Sequence, residues 1–282
     1  WRMWRWREHR PTATYLTTAT VGDFTYSEES MTETTTGRTL PVYNAVDATA
    51  TPAQLTAIQT TLQQAPGQLN FLSDIFGRYP FGSTGAVADK AAGVGYALEV
   101  QGKPHYAGSF SSGNPSISLG TQLHEIAHQW FGNSVTLQTW ADIWFNEGWA
   151  NWSTWYWSWK TQGGQDPAAR FDSAYASPSS DWSIAPAVLD GEPANLFDTF
   201  PTYTRGAMTV QGYREIVGDQ RFFAFAQLLQ RKYAYDNLST QEFIAEAKRA
   251  SGLKGAKLAL LDQYFQQWLY GTTKPTIVPE SF

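Results

Sequence analysis

Apolar and polar residues alternate near the start of the chain and return at three- and four-residue intervals through its second half. Residues 1–10 interleave Trp and Arg, which predicts a strand with Trp4 and Trp6 inward and Arg5 and Arg7 outward. Residues 12–24 are rich in β-branched and aromatic side chains and predict a second strand. The polar stretch 27–37 predicts a loop, and 38–43 a short strand. At Thr51-Pro52 the period changes: Pro52 suits a first helical position, and Leu55, Ile58 and Leu62 then share one face. Residues 77–85 form a turn-rich connection, and 93–100 a buried strand. Residues 119–160 are helical in character and hold eight Trp between Trp130 and Trp159. A loop is expected over 163–195, followed by helices at 204–217, 221–234 and 240–250, the last opened by a Ser239/Glu242 capping box. An amphipathic stretch at 258–270 closes the pattern. The class predicted is α+β, mainly helical with a small sheet.

Composition narrows the function. Aromatics at 15% exclude a disordered chain, and the absence of Cys excludes thiol catalysis and thiolate metal sites. Lys and Arg number 20 against 25 Asp and Glu, so the net charge of −5 gives no pull toward nucleic acid, and no apolar run is long enough to span a membrane. The chain opens on Trp1 without a charged segment leading into an apolar one, and so reads as a processed or truncated product. Low Lys content with many Thr and Trp suits a secreted bacterial enzyme. The 4 His limit any metal site to a short list.

Two of them decide the chemistry. His124-Glu125-Ile126-Ala127-His128 is an H-E-x-x-H pattern. On a helix the imidazoles stand one turn apart on one face, within reach of a single ion. Glu125, rotated to the side, addresses a water there without being a ligand. A metzincin-type third ligand would need a glycine at position 131 and a histidine at position 134, but Phe131 and Ser134 stand there. His9 and His105 both lie upstream, so a downstream third ligand must be a carboxylate. Glu147, after an eighteen-residue gap, completes a His₂Glu set that leaves a fourth position open, as catalytic zinc sites do. The Trp residues around it read as core in preference to a substrate pocket.

These residues resemble the zinc aminopeptidases of the M1 gluzincin metallopeptidases. The H-E-x-x-H helix continues as Gln129-Trp130-Phe131-Gly132, and Asn146-Glu147-Gly148 surrounds the third ligand, as the family often has them. Ala97-Leu98-Glu99 stands in the place of the family's G-x-M-E-N segment, with Tyr96, Leu98 and Val100 departing from it. Tyr203-Thr204-Arg205-Gly206-Ala207 is similar to its Tyr-x-Lys-Gly-Ala segment. The resemblance covers most of the chain, strongest over 121–150 and weakest over 163–195.

The resemblance implies a thermolysin-like catalytic domain over residues 46–282, preceded at 1–45 by the remnant and linker of an N-terminal β domain. It implies one zinc ion on His124, His128 and Glu147, Glu125 as general base and acid, and Tyr203 as a stabiliser of the oxyanion. Glu99 would bind the α-amine of a peptide substrate. Asp142 would orient a ligand His or else start a helix, Asn146 would support the same surroundings, and His105 would lie in a loop. The residues alone also suit a zinc endopeptidase, or a zinc-bearing peptide-binding module without turnover.

Overall fold

A computed structural model describes residues 3, 5, 7–90, 94–107, 117–188 and 193–282. Its N-terminal layer is a sheet in the order β1-β2-β3-β5-β4. β1 (Phe24–Thr32) pairs antiparallel with β2 (Thr39–Asp47), which runs parallel to β3 (Thr84–Ala88). β3 runs parallel to β5 (His105–Tyr106), and β4 (Ala97–Leu98) closes the edge antiparallel to β5. Alternation in β2 and β3 turns Val46, Ala86 and Ala88 onto one face, where they pack with Ile58 and Leu62 of helix α1 (Pro52–Leu62). Pro52 stands at the first position of that helix, as its sequence predicts, and the structure adds a Thr51/Gln54 capping box.

The second layer is helical. α2 (Ala65–Phe76) and α3 (Leu119–Ala127) pack against α4 (Ile143–Gln162), which is buried along most of its length. Trp130, Trp144, Trp149 and Trp152 are fully buried, so most of the Trp crowd is core. A long helix apolar on nearly all sides must be covered all round. α5 (Pro167–Ala176), α6 (Arg205–Val217) and α7 (Asp219–Lys232) join α2 and α3 in doing so. α8 (Thr240–Ala250) and α9 (Gly255–Phe265) finish the bundle, and β6 (Val135–Leu137) pairs parallel with β7 (Asp236–Leu238). The α4–α6 crossing is unusually close: a Cβ on Gly148 would stand 2.7 Å from the backbone carbon of Gly206. Among the described residues no helix is long and apolar enough to cross a membrane.

The class is α+β and mainly helical, as expected, but several elements differ. Residues 27–37 are not a loop; most belong to β1 and to the turn that joins it to β2. β1 is an edge strand with most side chains in solvent, so it carries no apolar alternation and is held by main-chain pairing. Over 12–24, in place of a strand, a single 3-10 turn forms at Thr14–Leu16. Trp4 and Trp6 lie outside the described residues, and the described residues up to 13 form no strand. The helical stretch 119–160 is interrupted after Ala127 by a turn through Gly132, whose φ of 137° is open to glycine alone, and β6 follows. Residues 163–195 contain α5, started by the Asp166 cap and Pro167. The strand expected over 93–100 is only the half-buried pair Ala97–Leu98, and Gly93 lies outside the described residues. His105 is in β5, not a loop, with its Nε2 3.0 Å from Asp89. The boundary expected at residue 45 falls inside β2, whose pairing continues into β3.

Candidate metal centre and active site

The Ser118 hydroxyl caps α3 by accepting from Thr121 N at 2.9 Å, fixing where the helix begins and so which face carries His124 and His128. Their rings stand 4.6 Å apart, nearly perpendicular. Glu147, from the second turn of α4, aims Oε2 between them, 3.0 Å from His124 Nε2 and 3.4 Å from His128 Nε2. His128 Nδ1 lies 3.0 Å from the Phe131 carbonyl, which accepts its N–H and leaves Nε2 facing Glu147. Gly132 permits this: a Cβ there would come within 3.2 Å of His128 Nδ1 and 3.4 Å of Asn146 Nδ2.

The surroundings are strongly anionic. Ligand atoms of Glu99, Glu125 and His128 lie within 4.8 Å of one another, as do those of His124, His128 and Glu147. Burial pushes the Glu125 carboxyl well above its ordinary range; His128 opposes this, while Glu99 and Glu147 add to it. Burial likewise acts to raise Glu147, but His128 and His124 more than reverse it and hold the carboxyl at about 2. Three buried carboxyl groups therefore converge on two imidazoles. Two imidazole nitrogens and a carboxylate oxygen converging from rigid helices are the donor set that zinc takes, with a carbonyl behind one His as orienting partner. The residues present fit a divalent zinc ion.

Tyr203 lies in a π-type turn, Thr199–Thr204, just before α6, and its ring stacks on His124 with centroids 6.0 Å apart. Burial, then the charges of Glu147, Glu125 and Glu99, raise its phenol, so the hydroxyl stays protonated and able to donate. Glu99 follows the edge strand β4. Its carbonyl accepts from Asn133 Nδ2 at 2.7 Å and Gln129 Nε2 at 3.2 Å, which ties the strand's end to the exit of α3. The structure thus brings together His124, Glu125, His128, Glu147, Tyr203 and Glu99.

Of the two roles open to Asp142, the helix start is the one it takes. Oδ2 accepts from Thr139 N, and Oδ1 from Thr240 N and Oγ1, so it joins the starts of α4 and α8. Among the described residues it hydrogen-bonds no imidazole. Asn146 donates to the Tyr15 hydroxyl at 3.3 Å in place of a ligand His. Tyr15 itself is a site residue without a sequence signal. It comes from the 3-10 turn Thr14–Leu16 and donates to Glu99 Oε1 at 2.7 Å. Burial and then the Glu99 charge raise its phenol, which keeps the hydroxyl a donor. Nothing but the fold distinguishes it from the other 13 of 14 Tyr.

Comparison with known proteins agrees with this geometry. Residues 117–268 match the model of the peptidase family M1 domain. Aminopeptidase M1-C of Oryza sativa subsp. japonica is 30% identical over 262 residues, covering 85% of this chain and 28% of its own length. Aminopeptidase N of Streptomyces lividans is 28% identical over 147 residues, covering 48% of this chain and 17% of its own. The M1 zinc metallopeptidase of Deinococcus radiodurans superposes with a TM-score of 0.71 at 27% identity, over 91% of this chain and 54% of that one. A mutant of it was solved bound to a Tyr-Ser-Ala substrate. The chain spans under a third of the length of those curated relatives and about half of the solved one. On the family match, which takes in more than half of its residues and both helices of the metal centre, the chain belongs to peptidase family M1.

Proposed function

We propose that the chain is a zinc-dependent aminopeptidase that removes residues from the free N-termini of peptides. One observation carries this reading. The Glu99 carboxylate lies within 4.8 Å of the reactive atoms of Glu125 and His128. An anionic receptor that near the metal centre holds an α-ammonium with the first peptide bond, and no later one, at the reacting position. The aminopeptidase names of its relatives, and the tripeptide bound to the Deinococcus radiodurans mutant, support the same substrate class.

His124, His128 and Glu147 would hold the zinc ion. Zinc, when bound, acidifies a water and polarises the scissile carbonyl. The chain's own residues do the rest. Glu125, buried beside His128, takes the proton from the attacking water as a carboxylate and hands it to the leaving amine. Tyr203, held protonated beside His124, donates to the carbonyl oxygen as charge builds on it. Glu99 pairs with the substrate ammonium and fixes the register. The test compares alanine 4-nitroanilide and its N-acetyl form as substrates of the zinc-loaded chain. Only the free amine should be hydrolysed; equal turnover of both would replace the aminopeptidase reading by an endopeptidase one.

A further inference from the structure

Glu99 is held in place from two sides. Its backbone carbonyl is fixed by Gln129 and Asn133 at the exit of α3. Its carboxylate is fixed from a part of the chain 84 residues away, where Tyr15 donates to Oε1 at 2.7 Å. The same hydroxyl accepts from Asn146 Nδ2 at 3.3 Å, so a single oxygen bridges the amine receptor to the residue preceding Glu147. The Tyr15 ring is braced against Trp140, with centroids 5.3 Å apart. Glu99 Oε2 makes no hydrogen bond among the described residues.

Granting the aminopeptidase reading, on which this rests, we infer that Tyr15 is a positioning residue for amine recognition. Its hydroxyl locks one carboxylate oxygen of Glu99 and leaves the other turned to the substrate's α-ammonium. A glutamate side chain has three torsions to freeze, and a receptor frozen before the substrate arrives loses less entropy on binding. The hydroxyl also accepts from the helix that carries Glu147, so the distance between ammonium and metal centre is set by one bridge. The segment N-terminal to the sheet therefore completes the site.

The experiment is steady-state hydrolysis of alanine 4-nitroanilide by the full chain, zinc-loaded, as wild type, Y15F, E99Q and the double variant. Y15F keeps the ring against Trp140 and removes only the hydroxyl. It should raise KM on the order of tenfold, the worth of one hydrogen bond to a charged group, while kcat falls by less than about threefold. In the E99Q background the same change should matter less than about twofold, because a residue acting through Glu99 has nothing left to act on. Trp140→Leu, at a half-exposed position, removes the brace and keeps the hydroxyl; it should give the same split at smaller size, and serves if Y15F does not fold. An unchanged or lowered KM in both Y15F and Trp140→Leu, or an equal effect of Y15F with and without Glu99, would overturn the inference. Hydrolysis of the N-acetyl substrate by wild type would instead overturn the aminopeptidase reading itself.

Discussion

The Nδ1 N–H of His128 and the carbonyl of Phe131 meet at 3.0 Å across a turn that only glycine at 132 allows, with φ at 137°. That bond selects the tautomer with Nε2 free toward Glu147. We expect Gly132→Ala to strain the turn and press its Cβ on the imidazole, 3.2 Å away. Zinc affinity should fall about 10- to 100-fold, the usual cost of disturbing a ligand's orienting partner. Competition with a chromophoric chelator measures it; unchanged affinity would show that the turn does not set the ligand.

The Glu125 carboxylate comes within 4.8 Å of His128, but the three-residue group that can hold an ion, His124, His128 and Glu147, is complete without it. Glu125→Gln should therefore keep one zinc per chain and lose proton transfer. A fall in kcat of about a hundredfold to ten-thousandfold is expected, with little change in KM. Zinc content by emission spectroscopy, read beside the kinetics, separates this from loss of metal.

His124, Glu125 and His128 were legible because helical geometry converts their spacing into a shared face. Glu147 was legible because the 4 His left a downstream third ligand to a carboxylate, and because its Asn146-Glu147-Gly148 setting resembles the family's. Glu99 and Tyr203 had no local signal, and only likeness to a family singled them out. Tyr15 was not legible at all. Its role depends on a contact across 84 residues, made from a turn in a segment whose composition suggested a strand. β1 was hidden for the opposite reason: an edge strand in solvent needs no apolar alternation, so Ser and Glu occupy positions that read as loop. α5 was missed in the same way: 163–195 reads as loop, and the helix start at the Asp166 cap and Pro167 emerges only in the structure.

Gly148 follows Glu147, the candidate third ligand, and the close crossing of α4 and α6 is built on it. A methyl group at 148 would meet Gly206 backbone at 2.7 Å, and backbone cannot swing aside as a side chain can. Gly148→Ala should cost about 3 kcal/mol by overpacking, despite alanine's better helix propensity. Because parting the helices also moves Glu147, the zinc-free chain should lose less stability than the zinc-loaded one. Thermal melts with and without chelator test both expectations.

Arg205 turns its guanidinium away from the metal centre. Its five N–H groups reach the carbonyls of Trp268, Gln267, Gly271, Ile184 and Trp182, at 2.7 to 3.3 Å. Burial pushes the group down to about 10, still charged at neutral pH. A lysine keeps the charge but brings three donors in no fixed plane, so at least two carbonyls lose their partner. We expect Arg205→Lys to cost about 3 kcal/mol in urea unfolding, the worth of one or two charged hydrogen bonds. A loss below about 0.5 kcal/mol would show that charge alone suffices.

Glu246, almost fully buried on α8, accepts from Arg249, Lys232 and the Tyr233 hydroxyl. Burial acts to raise its carboxyl, and the hydrogen bonds from Arg249, Lys232 and Tyr233 more than reverse this, holding it at about 2. The folded value thus lies below the ordinary 4.5, and between the two the unfolded chain binds more protons. The group's contribution to stability is accordingly complete above about pH 4.5 and is lost as pH falls toward 2. Glu246→Gln carries no titrating group there. Wild type should exceed that variant in unfolding free energy at pH 7, and the margin should hold down to about pH 4.5 and then shrink steadily. Urea titrations of both chains at pH 7, 4.5 and 3 decide it: a margin that stays constant across that acid range would mean that the three donors do not favour the ionised carboxylate.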